Sequence, residues 1–154
     1  MKNTELPRII NMFQNTFDGA AWHGTSIMRV LEKITSEQAF QPSEQIHRIC
    51  ELVQHITAWR IFALKRLEGD DHYEISQKEN WKTFINQDEA AWEEIKADLA
   101  ESQKKIISAL EKISDERLND EVAGKAYNYY TLIHGVIQHD LYHLGEIALL
   151  AHGE

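Results

Sequence analysis

The chain has 154 residues, 43% of them hydrophobic and 27% charged, which is the length of one domain able to bury its own core, here taken as residues 1–154, and the composition of an ordinary globular protein. Its net charge of −9, from 16 Lys+Arg against 25 Asp+Glu, leaves no basic stripe to displace phosphate counterions, and no apolar run approaches the roughly 20 residues that cross a bilayer, so neither nucleic acid nor membrane is an expected partner. A single cysteine, Cys50, excludes an intramolecular disulfide, and the opening MKNTELPRII lacks the apolar region and cleavage site of a secretory signal, so a cytoplasmic setting is expected.

Long stretches of 3/4 apolar spacing, no useful β-like alternation and only two prolines, Pro7 and Pro42, predict an all-α protein of the four-helix-bundle type. Helix one opens near Leu6, with Pro7 tolerated in its first turn. Its stripe reads Leu6, Ile10, Phe13, Phe17, Ala20, Gly24, Ile27, Leu31 and Ile34. The phase survives Asp18-Gly19, so the spacing fits one kinked helix or two stacked pieces. Helix two opens after Pro42-Ser43, with Ser43 as its N-cap, and carries Ile46, Ile49, Val53, Ile56, Ala63 and Leu67 before Gly69-Asp70-Asp71 ends it. Cys50, between Ile49 and Val53, reads as a packed thiol rather than a nucleophile.

Residues 70–87 form a polar connection anchored by Trp81 and Phe84. Helix three runs from Asp88 to Ile113 on Trp92, Ile95, Leu99, Ile106, Leu110 and Ile113, and helix four from Tyr129 to Ala151. The segments LEKITSEQ at 31–38 and LEKISDER at 110–117 each place Ser or Thr behind an Ile that closes a helix, which is a stop followed by a cap. A duplicated hairpin and convergent capping explain the echo equally well.

The chain has eight histidines. His139 and His143 stand at i and i+4, so their rings share a helix face with Cβ atoms about 6 Å apart, a spacing at which two imidazoles chelate one ion. Their stripe is Leu132, Val136, His139, His143, Ile147 and Leu150, which points into the bundle. His55 lies among Leu52, Trp59 and Phe62 on helix two and faces inward by the same reasoning. Three inward histidines with open positions match a metal site that also takes water or substrate, and all-nitrogen ligands suit Zn, Ni, Cu, Co or Fe. The bland alternative is three core histidines bonded to backbone or carboxylates. His47 falls nearer the helix start, at the bundle rim. His134 points about 180° away from His143, and His72 and His152 lie in a connection and a tail. His23, in Trp22-His23-Gly24 at the break in helix one, stays a candidate.

Other residues near these positions carry two readings each. Asp140 is placed either to orient a ligating histidine or to pair with a neighbouring helix. Arg60 interrupts the core stripe of helix two, where it receives a substrate carboxylate or pairs with Asp140 or Glu146, since a bare interior guanidinium is not tolerated. Tyr142 and Glu146 flank the pair and are placed to assist proton transfer, and Glu146 also fits an exposed face. Gly145 either permits a close helix approach or is a tolerated helix glycine. Trp22 and Trp59 read as pocket walls or core.

Trp22-His23-Gly24, ELVQHITAWR at 51–60 and HDLYHLGEIALL at 139–150 together resemble the DinB-like superfamily, which includes the YfiT-like proteins, in the same order and over nearly the whole chain. The resemblance implies an up-down-down-up style bundle, usually a homodimer, with one divalent metal ion, zinc or nickel before others. His55 matches the family's histidine on helix two, and His139 and His143 match its C-terminal pair. It further implies a small-molecule substrate and a metal-dependent enzyme. Better-understood relatives are S-transferases that use bacillithiol or mycothiol as low-molecular-weight thiol co-substrate, and a mycothiol-dependent maleylpyruvate isomerase. Others were named metal-dependent hydrolases from the site alone. A non-catalytic dimer stiffened by its metal is the remaining reading.

Overall fold

The computed structural model describes residues 4–42 and 47–152. Seven α-helices follow one another: α1 (Glu5–Phe17), α2 (Ile27–Leu31), α3 (Ser36–Phe40), α4 (Ile49–Leu67), α5 (Gln77–Asn80), α6 (Glu89–Leu110) and α7 (Tyr129–His152). A short 3-10 helix, Asp115–Asn119, lies between α6 and α7, and no strand occurs among the described residues. The all-α expectation holds, and the four longest helices are α1, α4, α6 and α7. No described helix is long and apolar enough to cross a membrane.

Local chemistry explains the helix ends. Pro7 falls in the first turn of α1, where its missing N–H is not needed. The unpaired N–H groups of Glu5 and Leu6 donate to the Asp115 carboxylate at 2.7 and 3.0 Å, an anion placed on a helix N-terminus from far along the chain. At the end of α4, Gly69 adopts a positive φ of 87°, and the N–H groups of Gly69 and Asp70 close back onto the Arg66 and Lys65 carbonyls at 3.2 and 2.9 Å. This is a Schellman ending, and only glycine takes the left-handed position without strain. Asp88 Oδ1 caps α6 by accepting the Ala91 N–H, and Asn128 Oδ1 accepts the Thr131 N–H at the start of α7.

Helix one does not continue through Gly19. α1 stops at Phe17, the Asp18 and Gly19 N–H groups both close onto the Gln14 carbonyl, and a Cβ at Gly19 would stand 2.8 Å from Asn15 Oδ1. Residues 18–26 then form a non-helical excursion with a bridge between Ala21 and Gly24, before α2 resumes at Ile27. Ala20 and Gly24 are exposed, so the apparent stripe crossed a gap by coincidence of spacing. α4 begins at Ile49, later than expected, because Glu51 reaches back to accept the Arg48 N–H at 2.9 Å and fixes Arg48 as the N-cap. Ser43 and Ile46, expected as cap and core of that helix, lie outside the described residues. The Thr35 half of the repeated stop-and-cap segments closes a full capping box with Gln38, whereas Ser114 makes no side-chain cap bond.

Two apolar clusters fill the bundle. One joins Ile9 and Phe13 of α1 to Phe62, Ile106, Leu110, Tyr129 and Ile133. The other joins Phe17, Ile27 and Leu31 to Val53, Ile56, Trp92, Leu99, Leu144 and Ile147, and holds Cys50 fully buried. A polar layer lies where they meet. Arg60 of α4 donates from Nε to Asp140 Oδ2 of α7 at 2.9 Å and from NH1 to Gln103 Oε1 of α6 at 2.7 Å. Its guanidinium also lies over the Phe17 ring of α1, 4.9 Å from the centroid. All four long helices therefore converge on one side chain.

Candidate metal centre

α4 and α7 lie side by side, and their inward histidines meet. His55, His139 and His143 each offer one ring nitrogen within 4.8 Å of the others. His55 and His143 are buried, and His139 is half-buried. The Nε2 atoms of His55 and His139 stand 3.1 Å apart. Two nitrogens bound at 2.0–2.1 Å to a tetrahedral ion would stand about 3.3 Å apart, so the rings are spaced as ligands of one ion.

The outer face of two rings is already engaged. His55 Nδ1–H donates to the Asn80 carbonyl at 3.1 Å, since a carbonyl can only accept. His143 Nδ1 meets Glu146 Oε2 at 2.5 Å. Both partners favour a proton on Nδ1, and the His55 Nε2 is directed at His139, which is how a ligating histidine is oriented. His139 Nδ1 is buried and has no hydrogen-bond partner among the described residues.

Burial favours the neutral form of His139 and His55. Burial pushes the His139 pKa down to about 3, and the adjacent His143, His55 and Arg60 add to the shift. Burial also lowers His55, helped by His143 and opposed by the bond to Asn80. Neutral imidazole is the form that ligates metal, so no proton has to be removed first at neutral pH.

The flanking residues divide clearly. Asp140 and Arg60, each 1% exposed, pair with one another rather than with the histidine rings. Burial raises the Asp140 pKa, and Arg60 opposes that shift. Glu146 bonds His143, which rules out its alternative as the partner of Arg60. Tyr142 is 69% exposed, with its ring edge-on to His143 at 5.1 Å. Trp59 is half-exposed and stands 5.8 Å from the His139 ring, as a wall of the site.

Trp22 and His23 do not join the cluster. They form the tip of the excursion after α1, and Trp22 is fully exposed, so the wall expected of it has nothing to pack against. Gly145 allows no close approach either, since a Cβ there would meet nothing within 4 Å. His134 is half-buried beside Tyr130, with ring centroids 4.3 Å apart, and takes no part. His47 is not simply at the rim: its ring stacks on Trp81 at 3.5 Å, and the other face of Trp81 stacks on His55 at 4.1 Å.

Asn80, Trp81 and Gln103 belong to these networks without having been singled out for them in the sequence. Gln103 falls on the inward phase of helix three between Leu99 and Ile106, a polar residue on a core stripe. Ser76 and Glu79 have capping-box spacing, which marks the short helix that carries Asn80.

Comparison with known families matches residues 21–147 to the family model of the DinB superfamily. The three histidines lie within that span. No curated protein and no solved structure matches the chain.

Proposed function

Because the chain belongs to the DinB superfamily, we propose that it is a metal-dependent enzyme that activates a low-molecular-weight thiol for transfer to a small electrophilic substrate. The observation that carries this reading is the convergence of three imidazoles beside half-exposed groups rather than in a sealed core. His55, His139 and His143 would hold one divalent ion, zinc or nickel. An ion held by three uncharged ligands keeps its full positive charge and lowers the pKa of a thiol or water bound beside it.

The chain's own groups supply the rest. Asn80 and Glu146 hold the rings of His55 and His143 in a ligating orientation. Glu146 also places a carboxylate on the solvent side of the cluster, where it can take up a proton released by the thiol. Trp59 and Tyr142 border the approach and offer aromatic faces to an organic substrate. A cytoplasmic setting, where such thiols are kept reduced, fits the same reading.

A homodimer fits the outer face of α7. Tyr130, Tyr142 and Leu149 are exposed there, and the only acidic or basic residues of the helix besides its histidines are buried Asp140 and Glu146, which is engaged by His143. Such an uncharged strip is unusual on a chain of net charge −9. Light scattering should give a dimer that Leu149→Glu dissociates, and a monomeric wild type would overturn this part.

The test of the main reading is conjugation of a haloaromatic electrophile by bacillithiol, mycothiol, glutathione or coenzyme A with Zn2+ or Ni2+ present. Turnover that depends on both thiol and metal, and is lost with the metal in His139→Ala, is expected. No turnover with any of the four thiols overturns it, and ester or amide hydrolysis without thiol would assign water as the nucleophile instead.

A further inference from the structure

The ring of His55 is held from outside α4 by a four-residue helix. Ser76 Oγ accepts the Glu79 N–H at 3.2 Å and Glu79 Oε2 accepts the Ser76 N–H at 2.9 Å, so this reciprocal cap fixes α5 as a single turn. Its last residue is Asn80, whose carbonyl is left unpaired by the helix because no further turn follows. That carbonyl accepts the His55 Nδ1–H. The Asn80 side chain is also committed: Oδ1 accepts the indole N–H of Trp59 at 3.1 Å. Trp59 and His55 stand one turn apart on α4, so Asn80 grips two adjacent side chains of that helix.

Trp81, the next residue, lies flat on the His55 ring, with centroids 4.1 Å apart and planes 5° from parallel. Its far face lies on His47, 3.5 Å away and 2° from parallel. An imidazole ligand has two properties that neighbours must settle, which nitrogen carries the proton and where the ring plane points. The Asn80 carbonyl settles the first and the Trp81 stack settles the second. The side-chain bond to Trp59 fixes the position of the carbonyl itself.

We propose that Asn80 and Trp81 are positioning residues of the metal centre, locking His55 in its Nδ1–H tautomer with Nε2 presented to His139 and His143. This rests on the metal-centre reading above. His139 receives no such support from its own surroundings, so the site is organised from its His55 and His143 sides, and His139 closes it.

The experiment uses the full chain, with Zn2+ affinity measured by competition against a chelator and His55 protonation read from long-range 1H–15N spectra of the metal-free protein. Wild type should bind Zn2+ and show the Nδ1–H tautomer. Asn80→Ala and Trp81→Ala should each bind Zn2+ about tenfold more weakly, and Asn80→Ala should also show a mixture of tautomers, with melting curves establishing that both fold. Asn80→Asp, which keeps an acceptor for the indole, and Trp81→Phe, which keeps a stacking face, should each recover what the alanine variant at that position loses. Wild-type affinity and tautomer in both alanine variants overturn the proposal and leave the metal centre standing. Weaker binding with an unchanged tautomer in Asn80→Ala overturns it as well, because the effect would then not pass through the His55 Nδ1–H. A wild type that binds no Zn2+ overturns the metal centre and this proposal together.

Discussion

Arg60 and Asp140 form a fully buried ion pair in which one carboxylate oxygen, Oδ2, receives both Nε at 2.9 Å and NH2 at 2.7 Å. The other oxygen, Oδ1, is buried and meets no donor among the described residues. The pair sits between two apolar clusters, and His139 precedes Asp140 on the same helix, so α7 is fixed in register against α4 at the level of the three histidines. Removing one partner strands the other charge away from water. Asp140→Ala is therefore expected to cost about 3–5 kcal/mol, read as a lower urea midpoint. The double variant Arg60→Met/Asp140→Leu should recover much of the loss, since replacing both charges with apolar groups removes the desolvation cost at the same time. A double variant as unstable as Asp140→Ala would show that the charge pair itself stabilises the fold.

Much of this arrangement was legible in the sequence because helical phase is a local property. His55, His139 and His143 fall on apolar stripes, and each stripe faces inward whatever its partner helix. The choice of partner for Arg60 was not legible: Asp140 and Glu146 are both acidic and close in sequence, and only the rotation of α7 sends Glu146 to His143 instead. The sequence left open whether helix one continues past Phe17, because Ala20 and Gly24 carry a 3/4 spacing through a segment that is not helical. The Asn80 clamp was hidden for a different reason. A four-residue helix has no periodicity to read, and its contacts with α4 join residues 21 and 25 positions apart.

Metal binding should stabilise the fold through these ligands. An ion that binds only the folded chain adds about 2.7 kcal/mol at a concentration 100 times its Kd. Thermal melting should therefore shift upward when Zn2+ is added to chelator-treated protein, and the shift should vanish in His139→Ala and in His143→Ala. A shift that persists in both variants would place the ion elsewhere.

The cap of α4 makes a separate, pH-dependent contribution. Partial burial works against the Glu51 charge, but hydrogen bonds from the Arg48 backbone N–H and side chain outweigh it and hold the pKa below the usual 4.5. A carboxylate with a lowered folded value stabilises the fold fully above its unfolded pKa and loses that contribution as pH falls through the folded value. Glu51→Gln should accordingly cost about 1 kcal/mol near neutral pH. The gap from wild type should narrow as pH falls below 4.5, measured by urea denaturation across that range. A gap independent of pH would mean that the loss does not come from the charge of the Glu51 carboxylate.

Cys50 bears on which thiol the proposed reaction uses. It is fully buried, and burial pushes its pKa up to about 11. At about pH 8 roughly one thiol in a thousand would then be ionised, and the thiolate is the reactive form. The folded protein should leave a chromogenic disulfide reagent unreacted over the period in which unfolded chain consumes one equivalent. Cys50→Ser should retain thiol-dependent turnover, because the nucleophile comes from outside the chain. Rapid labelling of the folded protein, together with loss of turnover in Cys50→Ser, would move the nucleophile from a dissociable co-substrate to the protein itself.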